Sequence, residues 1–186
     1  MKVIFLDHDG VICLADNWGS RYKKRKRDGQ SSSDVHLLPV EYRFDNFDRK
    51  AVNLLNSIVK ETGAEIVVSS DWKRWADLTE MGEYYESKGI IKKPIAFTPD
   101  LSTCTVHGNN FIWSQEWDLE QTRSIEIKQY LHDHPEITHW VAIDDLNMSK
   151  GESWKNWGLS NFVHTPLSRE GIKQSGVYEK ILKFLV

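Results

Sequence analysis

Cysteine is scarce in this chain, with two residues, Cys13 and Cys104, among 186. Two cysteines cannot build the disulfide framework of a small secreted module, and no CxxC or Cys/His cluster suggests zinc. A reducing, cytoplasmic setting is the expectation. Long apolar runs are missing too. A membrane-spanning helix needs about 18–20 consecutive apolar residues, and no stretch approaches that. The N-terminal run Val3–Leu6 is too short for a signal-peptide core and meets acidic residues at once. No membrane partner is expected. There is no internal repeat, and the only low-complexity piece is "DGQSSSD", Asp28–Asp34.

What is present reads as one globular domain over residues 1–186, long enough to bury a core. The net charge of −3 is unevenly spread. "RYKKRKR", Arg21–Arg27, carries six of the 24 basic residues and no acid, so the remainder sets 18 basic residues against 27 acidic ones. A positive segment on an acidic body suits a local polyanion site, while its bland alternative is a solvated charge run. Lys24 and Arg25 at its centre are the candidate contacts.

Alternation organises the chain. Val3–Leu6, "AEIVVSS", "KPIAF", "HWVAIDD" and "NFVHT" read as short strands. Phe47–Gly63, Trp72–Gly89, Thr122–Pro135 and "YEKILKFLV" carry helical spacing. Strands alternating with helices predict an α/β fold, a three-layer Rossmann-like parallel sheet. Two segments stand outside it: a basic insertion over residues 14–45, read as loop, and a second insertion over 98–121. Trp113 and Trp117 in the second could stack on a base or pack the insertion onto the body.

In a parallel sheet the strands' carboxyl ends share one edge, where ligands bind. Here three strands end in polar residues: Asp7/Asp9, Ser69/Ser70 and Asp144/Asp145. Gathered carboxylates repel and call for a cation. An all-oxygen set suits Mg2+, which also takes phosphate. Asp7, Asp9, Asp144 and Asp145 are therefore the candidate metal ligands. Side chains alternate along a strand, so Asp7 and Asp9 share an orientation and His8 points away to a packing role. Gly10 lets the backbone turn sharply beneath them. Asp7 is placed to attack phosphorus, and Asp9 to protonate the leaving oxygen and then deprotonate water. A polar Asp-Gly turn is the plain alternative for the first pair. Helix capping by Ser70 or Asp71 is the plain alternative for the serines.

These motifs carry a resemblance. "FLDHDGVI" resembles the DxDG[TV] motif of the haloacid-dehalogenase-like (HAD) phosphohydrolases, "IVVSS" their second motif, and "VAIDD" their acidic fourth motif. The resemblance implies an Asp7 phospho-enzyme, Mg2+ and a serine phosphate ligand, with Ser69 preferred to Ser70. It also implies a basic third-motif residue, Arg123, with Lys128 one turn further on as the runner-up. "VVSSDWK", "RSIEIKQYL" and "HTPLSREGI" are similar to a branch found in Swiss Army Knife RNA repair proteins, with Lys73 where that branch has Arg. The implied activity is hydrolysis of a phosphate monoester, most specifically a terminal phosphate of a nucleic acid. Ser70, Lys73, Gly10, Lys24, Arg25 and Trp113 are the expected substrate contacts. A nucleotide or small-molecule monophosphatase, a phosphoprotein phosphatase and a catalytically silent HAD-like module are the competing expectations. Neither insertion is large enough for a separate cap domain, so an open site is expected.

Overall fold

A computed structural model of the chain describes residues 1–101, 105–107, 110–112, 119–149 and 158–186. Strand β1 (Lys2–Leu6) lies at the centre of a five-stranded sheet with β2 (Glu65–Val68), β3 (Ala96–Phe97), β6 (His139–Asp144) and β7 (Phe162–His164). The order is β3-β2-β1-β6-β7 and every pairing is parallel. Val3, Ile4, Phe5 and Leu6 are all fully buried. A strand covered on both faces has no polar alternation to show, which is why this stretch reads as continuous apolar sequence.

Alternate residues of each strand feed two cores. Ile4, Leu6, Ile66, Val68, Val141 and Ile143 pack against helices α2 (Arg49–Thr62), α3 (Leu78–Ser87) and α5 (Val177–Leu185). Val3, Phe5, Val67 and Ala142 face helix α4 (Leu119–Asp133) through Ile127 and Tyr130. Phe5 meets Tyr130 edge-on at 5.6 Å. Burying each such aliphatic side chain contributes roughly 1.5–3 kcal/mol, so the two cores set both the register and the three layers. Helix α2 starts where the Asp48 carboxylate accepts the Ala51 amide at 2.8 Å, and it ends at Gly63, whose φ of 69° is left-handed. No helix among the described residues is long and apolar enough to cross a membrane.

Three local expectations are corrected. The basic run is helix α1 (Ser20–Arg27), not loop. It buries none of its residues, so it carries no apolar period to reveal it. Tertiary structure holds it instead: the Asp45 carboxylate, 26 residues away, accepts the Gly19 amide at 3.0 Å and the Arg21 amide at 2.8 Å. The helix expected over Trp72–Gly89 is divided. A 3-10 turn (Asp71–Arg74) comes first, and α3 begins at Leu78 behind an Asp77/Glu80 capping box. Helix α4 begins at Leu119, three residues before its expected start. Within the second insertion, β4 (Thr105–His107) and β5 (Asn110–Ile112) pair antiparallel, apart from the main sheet.

Candidate active site

The carboxyl ends of β1, β2 and β6 do meet at one edge. Oxygens of Asp7, Asp144 and Asp145 lie within 4.8 Å of one another. Arg123, from the first turns of α4, is buried beside them and places one Nη1 3.1 Å from Asp7 Oδ2 and 3.0 Å from Asp144 Oδ2. Its Nη2 lies 3.5 Å from Asp71 Oδ2. The other oxygen of Asp144 accepts the Leu146 amide at 2.8 Å. The neighbouring Ser70 hydroxyl favours the ionised form of Asp7. A pocket of about 130 Å³ opens onto Asp7, Asp9, Ser70, Asp71, Arg123 and Asp145.

Its electrostatics are those of an incompletely neutralised anion cluster. Burial pushes the Asp7 carboxyl well above the ordinary carboxylate range. Arg123 pulls it down, and Asp144 and Asp145 raise it further. Asp144 is raised chiefly by burial. Asp145 is pushed up to about 6, by burial first and then by Asp144. Counted as ionised, the three clustered carboxylates outnumber the one guanidinium by two negative charges, and Asp71 draws on the same Arg123. At 4–5 Å each like-charge pair opposes ionisation by about 3–4 kcal/mol at an effective dielectric near 20. An oxygen-preferring ion of charge two balances that excess, so the donor set fits a hard divalent cation.

Backbone chemistry shapes the edge. Gly10 has φ of 68°, and a Cβ there would lie 2.7 Å from the Asp145 Cβ and closer still to its Oδ2. Only glycine permits both the turn and the approach. The Thr165 hydroxyl donates to the Gly10 carbonyl at 3.2 Å, and the Thr165 amide to the Asp144 carbonyl at 2.9 Å. The end of β7 thus braces both acidic loops. Neither Thr165 nor Asp71 was foreseen; each belongs to the site through a contact distant in sequence.

The other expected residues divide. Asp9 lines the pocket, but its carboxylate is not one of the three clustered carboxylates. It is held instead by the Trp72 indole, whose Nε1 donates to Oδ2 at 2.8 Å. Ser70 lines the pocket and Ser69, the preferred serine, does not: Ser69 Oγ is buried with no hydrogen-bond partner among the described residues, while its amide still donates to the Leu6 carbonyl of β1 at 2.9 Å. Ser70 also caps the 3-10 turn, its hydroxyl accepting the Trp72 amide at 3.5 Å. Arg123 lines the pocket and Lys128 does not.

Lys73 is corrected from substrate contact to internal strut. Its Nζ pairs with Glu126 at 2.6 Å and donates to Thr98 Oγ1 at 3.1 Å and the Pro99 carbonyl at 3.0 Å. Both partners of that ion pair are 5% exposed, and a buried ammonium must find such partners close by. Lys24 is similarly occupied, donating to the Glu41 carbonyl at 2.5 Å. Arg25 and Arg21 do line an adjoining groove. Trp113 lies outside the described residues. His8 is packed away from the acids as expected. Its Nε2 is 2.6 Å from the Tyr85 hydroxyl, its ring lies 4.6 Å from Trp72, and burial lowers its pKa to about 3, so it is neutral.

Comparison with known proteins gives one match. The model of the family described as "HAD domain in Swiss Army Knife RNA repair proteins" covers residues 3–177. No curated protein and no solved structure matches.

Proposed function

The chain belongs to the family of HAD domains found in Swiss Army Knife RNA repair proteins, and from that premise we propose that it is a Mg2+-dependent phosphomonoesterase acting on a terminal phosphate of a nucleic acid. One observation carries this reading: Asp7, Asp144 and Asp145 converge with two negative charges in excess of the Arg123 guanidinium. Asp7, Asp144 and Asp145 would hold the metal. A bound Mg2+ would supply charge neutralisation between the carboxylates and the incoming phosphate.

The residues of the chain divide the work. Arg123 holds Oδ2 of Asp7 and Oδ2 of Asp144, so the nucleophile is oriented before substrate arrives. Asp7 attacks phosphorus, forming a P–O bond to its carboxylate while the bond from phosphorus to the ester oxygen breaks. Asp9, steadied by Trp72 at the pocket rim, gives its proton to the departing oxygen. Water then attacks phosphorus, Asp9 takes a proton from that water, and the bond to Asp7 breaks to release inorganic phosphate. Ser70, beside Asp7 in the pocket lining, is placed to bind a phosphoryl oxygen.

The test is phosphate release with Mg2+ from p-nitrophenyl phosphate, from 3′- and 5′-phosphorylated oligonucleotides and from mononucleotides, with Asp7→Asn as control. Release that requires both Mg2+ and Asp7 supports the reading. Its absence from every substrate would sink it.

A further inference from the structure

Beside the carboxylate pocket lies a second concavity of about 380 Å³, and the two share Asp9 and Asp71. Helix α1 forms one wall with Arg21, Tyr22 and Arg25, and Trp75 stands at another. Tyr22 and Trp75 are large rings left 58% and 45% exposed. The guanidiniums of Arg21 and Arg25 sit 4.9 and 5.4 Å from the Tyr22 ring, so the three side chains form one cationic and aromatic face. Arg25 uses its Nε on the Tyr42 carbonyl at 2.6 Å, which fixes its position on the wall. Arg43 also reaches the groove, but Glu80 neutralises it through two bonds of 2.7 and 2.8 Å. Trp72, stacked on Phe44 at 4.5 Å, also lines the groove.

The groove therefore carries both signs: Asp9 and Asp71, which it shares with the carboxylate pocket, and the guanidiniums of Arg21 and Arg25, with the Tyr22, Trp72 and Trp75 rings in the same lining. Arg21 Nη1 stands 3.9 Å from Asp45 Oδ2, a looser pairing than that of Arg43 with Glu80 at 2.7 Å. We propose that it holds the nucleoside adjoining the scissile phosphate, with the base against Trp75 and a second phosphate on Arg21 and Arg25. The ligand chemistry is a nucleoside flanked by two phosphates, and its source is the end of a single strand. The volume falls near the lower end of small-ligand pockets, roughly 300–1,000 Å³, which admits one nucleoside and not a duplex. Stacked bases and backbone phosphates on arginines are the usual means of holding single strands. This inference rests on the phosphatase reading of the Asp7 pocket and adds what that pocket reads next to its phosphate.

The experiment compares kcat/KM, with Mg2+, for p-nitrophenyl phosphate, a nucleoside monophosphate, a nucleoside 3′,5′-bisphosphate, a terminally phosphorylated trinucleotide and a phosphopeptide. Two-phosphate ligands should exceed the nucleoside monophosphate by roughly tenfold, the size of one charge-assisted phosphate–arginine contact, the base being common to both; the monophosphate should exceed p-nitrophenyl phosphate by the effect of the stacked base. The trinucleotide exceeding the bisphosphate identifies the strand end as the source. The reverse order overturns that assignment in favour of a free nucleotide. Arg25→Gln and Trp75→Ala should each lower the ratio of trinucleotide to p-nitrophenyl phosphate turnover by about fivefold or more. Lys60→Gln, on α2 at the opposite edge of the sheet, should leave that ratio unchanged. A second readout needs no turnover: an end-phosphorylated fluorescent trinucleotide bound to Asp7→Asn should lose affinity when Arg25→Gln is added, with a shallower salt dependence. Turnover of p-nitrophenyl phosphate without preference for two phosphates overturns the groove and leaves the phosphatase standing. Phosphopeptide turnover above every nucleotide substrate overturns the groove as well. Absence of all turnover overturns the phosphatase, and the binding readout then decides the groove alone.

Discussion

Removing one carboxylate from the anion cluster should stabilise the metal-free protein while disabling it. The variant is Asp145→Asn. In the folded chain Asp145 is held at about 6, above its ordinary 3.8, by burial and by Asp144. For a fully buried group that difference would cost about 3 kcal/mol once ionised. Asp145 is only half-buried, and solvent reduces the figure to about 1–2 kcal/mol. A carboxyl harder to ionise in the folded state than in the unfolded one lowers stability as pH rises between the two values. The penalty is therefore absent below about pH 4, grows to about pH 6 and is complete above it. Asp145→Asn, in EDTA at pH 7.5, should gain about 1–2 kcal/mol, or roughly 3–6 °C in Tm for a chain of this length. At pH 4 the gain should vanish. Mg2+ should raise the Tm of the unaltered chain and leave that of the variant nearly unmoved, reversing their order. Differential scanning calorimetry at both pH values, with and without Mg2+, reads all three effects. Destabilisation in EDTA at pH 7.5, or equal Mg2+ stabilisation of both proteins, would refute the reasoning.

Three further outcomes follow from other contacts. Lys73→Met leaves Glu126 buried without its ammonium and should cost about 3–5 kcal/mol in urea unfolding, while Lys73→Met/Glu126→Leu should recover most of it; an equally unstable double variant would show that Lys73 does more than pair with Glu126. Gly10→Ala forces a left-handed φ and drives a methyl into Asp145, so it should lose about 2–4 kcal/mol and weaken Mg2+ binding measured by calorimetric titration. Lys88 is held down to about 8, by burial first and then by Lys24. Its protonation costs folding energy below about pH 8, and stability attributable to it should rise between about pH 8 and 10.5; the difference in Tm between the unaltered chain and Lys88→Gln, followed across that range, should shrink, and a constant difference would contradict the assignment.

Much of the fold was legible because its signals are local. The apolar runs of β1, β2 and β6 announced buried parallel strands, and Gly63 marked the end of α2 where the structure has it. Helix α1 was not legible: Lys and Arg favour helix individually, but a helix with no buried face has no period. The break before Leu78 was hidden for the converse reason. Trp72 and Met81 both join the core, so apolar spacing runs across two distinct elements, and only the Asp77 cap separates them.

The division of labour at the site follows the same line. The acidic pairs, their place at strand ends and the chemistry such residues permit can be read along the chain alone, because strand direction and residue type are properties of short segments. Which of those groups face one another was decided in three dimensions. Ser70 and not Ser69 lines the pocket, although both follow the same strand end. Lys73 is drawn inward by Glu126, 53 residues away, while Arg123 is drawn to Asp7 and Asp144. Asp45 sets α1 beside the acidic edge and so turns a charge run into part of the lining of a groove. Each of these outcomes depends on contacts between distant segments, and the burial that makes such contacts strong exists only once the sheet and its helices have closed around them.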